Sequence, residues 1–223
     1  MGDYRRPPID AHVFLDGQGQ AITYGNRWTA GPPDDTYSVE THPERFAPLH
    51  TVADALIDYL CGTFDVVVED SEAVAADLMH PPYNDVVRAV RIRPNDPSCA
   101  TLTFVLTAYP AVYLHAGLLN DFPYPVCGCD ACDSTWAAEA DDLERQVFAV
   151  VAGQYRESVE RRQSRPWVSY ALTCSNGKSS GGGTVADGIP LERVRAATPI
   201  LRTLPDGWAA WPRAESLTIG PQP

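Results

Sequence analysis

Apolar residues recur along this chain with two distinct periods. Phe46, Leu49, Ala53, Leu56, Ile57 and Leu60 follow at helical steps and share one face of a helix. Thr41-His42-Pro43-Glu44 ahead of them has the form of a capping box, and Gly62 stands where a C-terminal cap is favoured, so a helix is expected over 41–61. Trp136, Ala140, Leu143, Val147 and Val150 repeat the period and predict a second, longer helix over 134–162. Between the two helices the period falls to two. Residues 86–93, 101–108 and 111–118 read as strands whose short connections permit only antiparallel neighbours, hence a meander. In the middle strand Leu102, Phe104, Leu106 and Ala108 alternate with Thr101, Thr103, Val105 and Thr107, which predicts one buried and one more polar face.

Weaker patterns complete the picture. Residues 11–24 read as a short hairpin, 64–69 and 167–173 as strands, and 71–79 as a short helix. Residues 175–183 read as a mobile Gly/Ser loop, 192–204 as helix or strand, and 207–212 as an aromatic segment that pins the tail to the core. The expected fold class is α+β, a central antiparallel β-meander with two main α-helices packed on it. The expected organisation is a single domain over 1–223, with a loop-rich segment 1–40, a core 41–173 and a loop-rich segment 174–223.

Charge narrows the range of partners. Among 223 residues, 17 Lys plus Arg face 29 Asp plus Glu, a net charge of −12, and Lys178 is the only lysine. A phosphate backbone is bound by clustered basic groups, so nucleic acid is excluded as a partner, and anionic membrane surfaces are disfavoured for the same reason. A protein or a small molecule is the expected partner. At 44% hydrophobic and 21% charged residues the chain is apolar enough to fold. No apolar run approaches the ~18 residues of a membrane span, and residues 1–8 lack the apolar run of a secretory signal, so a cytoplasmic location is expected. In a reducing compartment the six cysteines are expected to be free or metal-bound rather than paired.

The sharpest chemical feature is Cys127-Gly128-Cys129-Asp130-Ala131-Cys132. Three thiolates at this spacing, with Gly128 allowing a tight turn, can converge on one Zn²⁺, and a structural site then needs a fourth ligand. His115, Asp130, Asp133 and Cys174 are the candidates for it. Arg91, Arg93, Thr103, Tyr113 and His115 would project from the polar face of the meander, where arginine forks and a titratable imidazole could line a pocket for a small anion. The competing reading of that face is solvated, or covered by another segment and internally satisfied. Gly177-Lys178-Ser179 resembles the end of a phosphate loop, but Leu172 stands where its first glycine is required. His42, His50 and His80 form no metal-binding helix pair, and no nucleophile elbow is present.

Three stretches carry a resemblance. Pro32-Pro33-Asp34-Asp35-Thr36-Tyr37-Ser38 runs on into His42-Pro43-Glu44-Arg45-Phe46, Arg88-Ala89-Val90-Arg91 follows, and Cys127-Gly128-Cys129-Asp130-Ala131-Cys132-Asp133 closes the set. Together they resemble an uncharacterised actinobacterial protein family of unknown function over about residues 20–212. The resemblance implies a stand-alone cytosolic bacterial protein and carries over no reaction. The leading expectation is a non-enzymatic binding or interaction protein with a structural zinc turn at Cys127, Cys129 and Cys132. The alternatives are a small enzyme acting on an anionic substrate at the Arg91, Arg93, Tyr113 and His115 face, and a thiol-based redox sensor.

Overall fold

The computed structural model describes residues 4–10, 12–162, 165–173, 179–185 and 188–215. Five strands, β1 (Val66–Asp70), β2 (Val86–Pro94), β3 (Leu102–Thr107), β4 (Val112–Ala116) and β5 (Asn120–Tyr124), pair in sequence order. Every neighbour is antiparallel, which is the expected meander. Its fifth strand escapes the period-two pattern because Asn120-Asp121-Phe122-Pro123-Tyr124 is poor in strand formers, and an edge position tolerates Pro123.

Two helices, α1 (Pro48–Thr63) and α2 (Trp136–Val151), bury the predicted stripes. Leu49, Val52, Ala53, Leu56, Ile57 and Leu60 of α1 and Ala140, Leu143, Val147 and Val150 of α2 share one core with Leu102, Phe104, Leu106 and Leu114. Both helices are shorter than the periodicity implies. Residues Pro43–Phe46 form a 3-10 turn, and α1 starts only at Pro48. The capping box does not form, because the Thr41 hydroxyl donates to Asp130 and the Glu44 carboxylate pairs with His42. At the other end α2 stops at Val151, and Gly153 turns the chain with φ +68° where a Cβ would meet the Ala210 backbone nitrogen at 2.6 Å. What reads as the charged end of a helix is the strand β6 (Tyr155–Arg162).

With β7 (Arg165–Thr173) and β8 (Ser179–Val185), β6 builds a second antiparallel sheet, so the fold is mixed α+β with two sheets. Part of the expected mobile loop is therefore strand, and its residues 175–178 lie outside the described residues. The ambiguous segment resolves as α3 (Leu191–Arg202), while the expected hairpin over 11–24 reduces to a single bridge between Leu15 and Ala21.

A buried carboxylate joins the two sheets. Glu157 of β6 is 3% exposed and accepts from the Leu118 and Leu119 amides at 3.0 and 2.9 Å. It also accepts from Asn120 Nδ2 at 2.7 Å and Trp208 Nε1 at 3.0 Å, so both oxygens are satisfied by donors of the β4–β5 turn and of the tail. Gly117 makes this approach feasible: its φ is +72°, and a Cβ there would stand 1.9 Å from Glu157 Oε2. Trp208 and Trp211 are buried, as expected of an aromatic segment pinning the tail.

Candidate metal centre

The cysteine turn connects β5 to α2 and is tied to the N-terminal segment by its backbone. The Asp130 amide donates to the Val39 carbonyl at 2.7 Å and the Ala131 amide to Thr36 at 3.1 Å. Asp130, 3% exposed, accepts from the Thr41 hydroxyl at 2.8 Å and lies between the guanidinium groups of Arg27 and Arg45, at 3.7 and 3.6 Å. Arg45 Nη2 donates to the Gly128 carbonyl at 2.7 Å, and Asp133 accepts from the Arg27 amide at 2.8 Å. A Cβ at Gly128 would fall 1.9 Å from the Tyr109 hydroxyl, so any larger residue there would have to displace that ring.

This scaffold brings three sulfurs together. The Sγ atoms of Cys127, Cys129 and Cys132 all lie within 4.8 Å of one another, and Cys127 and Cys129 are 3.3 Å apart. A disulfide needs ~2.05 Å, so these are free thiols. Sulfurs sharing a tetrahedral zinc at bonds of ~2.3 Å stand roughly 3.8 Å apart, within the range these three span. Cys129 is buried, Cys127 half-buried and Cys132 exposed.

The three thiols are electrostatically unlike. Burial pushes the Cys129 thiol up, but a hydrogen bond donated by Cys127, with others from the backbone of Cys132, the Cys132 thiol and the backbone of Ser38, brings it down to about 7. Cys132 moves the other way, to about 12, chiefly because its hydrogen bonds to Cys127 and Cys129 keep it protonated and burial adds to the effect. Cys129 therefore ionises more readily than Cys132, whose proton is held by the neighbouring sulfurs. A cation replacing those protons would draw all three sulfurs into ligation.

Among the described residues, no His, Asp or Glu ligand atom joins this group of sulfurs. Asp130 and Asp133 are held by Arg27, Arg45 and Thr41, and their structural work is to fix the turn. His115 lies in β4, where its Nδ1 is 2.7 Å from Asp121. Cys174 lies outside the described residues.

The second expected site has a different environment. Arg91 Nε and Nη2 both donate to Asp77 at 2.6 Å and its Nη1 to Glu69 at 2.9 Å. Thr103 donates to the same Asp77, and Val74 and Leu78 pack on Ala89 and Val105 with Tyr113 beside them. The 3-10 turn Glu72–Asp77 thus covers the polar face of the sheet and neutralises Arg91, while Arg93 is exposed near the edge. Arg91, Thr103 and His115 are all engaged by carboxylates of the chain itself.

Sequence spacing points to the three cysteines but not to Arg27, Ser38, Thr41 and Arg45, which sit about 80 to 110 residues away and hold the turn. The available signal was the recurrence of Thr36, Ser38 and Arg45 inside the stretches that carry the family resemblance. A family model described as "Family of unknown function (DUF6226)" matches residues 10–215. No curated protein and no solved structure matches the chain.

Proposed function

The chain belongs to that family of unknown function, and from this premise we propose that it is a binding protein in which Cys127, Cys129 and Cys132 hold one zinc ion as a structural clip. The observation that carries the reading is the convergence of three free sulfurs within 4.8 Å, on a turn whose amides and flanking carboxylates are bonded to residues 27–45. A metal there would fasten the N-terminal segment to the junction of sheet and helix. Zinc is favoured because a soft, all-thiolate donor set suits it and because the thiolate at Cys129 is accessible near neutral pH. With Asp130, Asp133 and His115 engaged elsewhere, the fourth position falls to Cys174 or to a water molecule.

Cobalt substitution tests the reading. Co²⁺ added to chelator-treated protein should give sulfur-to-metal charge-transfer bands at one equivalent, lost in Cys129→Ser and displaced by zinc. Cys174→Ser separates the two fourth ligands, weakening those bands only if Cys174 ligates. No cobalt spectrum, with peroxide reversibly oxidising Cys127 and Cys129 to a disulfide, would overturn the clip in favour of the redox reading.

A further inference from the structure

The row of side chains beneath the 3-10 turn Glu72–Asp77 has an open neighbour on the same face of the meander. In the covered row Arg91 of β2 stands opposite Thr103 of β3, and Thr103 opposite His115 of β4, and Asp77 or Asp121 engages all three. Two residues along each strand, the same face presents Arg93, Thr101 and Gly117, with the Gly117 amide donating to the Thr101 carbonyl at 2.9 Å. The turn ends at Asp77, whose carboxylate is taken by Arg91 and Thr103, so it supplies no partner to this second row. Arg93, Thr101 and Gly117 instead line a cleft of about 310 Å³, closed on its other sides by the 94–99 loop, by Ile200 of α3 and by Trp208 of the tail. That volume lies at the lower end of the range for small-molecule sites.

Arg93 is the one charged residue among the described residues that line this cleft. It is exposed and has no hydrogen-bond or ion-pair partner among the described residues, whereas Arg88 and Arg91 of the same strand each bind two carboxylates. The half-buried Thr101 hydroxyl is likewise without a described partner. A reachable guanidinium fork pairs with a planar oxyanion through two parallel hydrogen bonds. Around it Pro94, Pro97, Leu118 and Ile200 offer apolar wall, and Ile200 is left 44% exposed. Carboxyl groups of the chain adjoin the cleft but are occupied: Asp65 accepts from Asn95 at 2.6 Å, Asp96 from the Ser98 hydroxyl at 2.7 Å, and Glu157 lies behind Gly117, held by Trp208. They leave Arg93 free, and their field disfavours a ligand with more than one negative charge. We propose that this cleft binds a small monocarboxylic acid with an apolar body, its carboxylate paired with the Arg93 guanidinium and the Thr101 hydroxyl. This inference stands apart from the metal clip.

The test is an NMR titration of the full chain, as purified, with 3-phenylpropanoate, with its neutral amide and with the cation 3-phenylpropylammonium. The indole N–H of Trp208 and the Arg93 Nε–H are the local reporters, since both residues line the cleft. Saturable shifts of both signals with the carboxylate, and with neither the amide nor the cation, are expected. Because Arg93 makes no bond within the fold, Arg93→Gln should leave the melting temperature unchanged and weaken carboxylate binding about tenfold or more. Arg195→Gln, which removes an exposed arginine of α3 outside the cleft, should change neither. No saturable shift with the carboxylate, an equal response to the amide or the cation, affinity unchanged in Arg93→Gln, or equal weakening in Arg195→Gln overturns the proposal.

Discussion

Glu157 shows how the core holds a carboxyl group. Four donors converge on it, yet burial pushes its pKa above the ordinary value of 4.5. The folded state then holds the proton to higher pH than the unfolded chain does, so this group's contribution to stability falls as pH rises above 4.5 toward the native pKa. Glu157→Gln should remove that slope in melting curves recorded across this range. At neutral pH it should cost about 2–4 kcal/mol, because an amide nitrogen would face donors it cannot accept from. A pH profile unchanged by the substitution would contradict this assignment. Gly128→Ala should loosen the cysteine turn through the Tyr109 hydroxyl, visible as reduced retention of metal under chelator challenge. Neither glycine nor carboxylate is legible from local sequence: Gly117, Gly128 and Glu157 owe their roles to atoms about 20 to 50 residues away. The cysteines are legible because their spacing alone brings sulfurs near one another.

Among the elements, the meander was the most readable, since period-two alternation in β3 and β4 marks the face that joins the main core. Its second face was not. β3 is buried on both sides because the 3-10 turn Glu72–Asp77 lies over it, and Arg91, which suggests an anion site, instead anchors that cover. Burial tends to raise the Asp77 pKa, but hydrogen bonds from Arg91 and Thr103 hold it below the ordinary 3.8. Its contribution is therefore complete above that value and is lost as pH falls through the native pKa. Asp77→Ala should destabilise by about 1–3 kcal/mol at neutral pH, abolish that acid-side loss and leave metal content unchanged. Equilibrium denaturation from pH 2 to 7 reads all but the last, which needs elemental analysis. Helix ends were misread for one reason at both sites: tertiary bonds from Thr41 to Asp130 and the packing of Gly153 on Ala210 override local helix signals.

Across the whole molecule, distant segments close on one another in two places. The tail reaches the sheets through Trp208 and Trp211, and the N-terminal segment reaches the β5–α2 turn through Arg27, Thr41 and Arg45. The main buried cluster runs from α1 through the meander to α3 and the tail, so one cooperative unfolding transition is expected by calorimetry. On the proposed reading, chelation should lower its midpoint by roughly 2–4 °C for each kcal/mol the metal contributes. It should also expose residues 27–45 to proteolysis first. The family match spans both closures without supplying a reaction, which leaves the thiolate turn as the feature on which the account rests. Its most direct test is elemental mass spectrometry on protein purified without a metal-binding tag, paired with a thiol titration. About one zinc per chain is expected, with at least three thiols becoming titratable only after chelation. Protein free of metal, with all six cysteines titrating at once and no change on adding zinc, would contradict it.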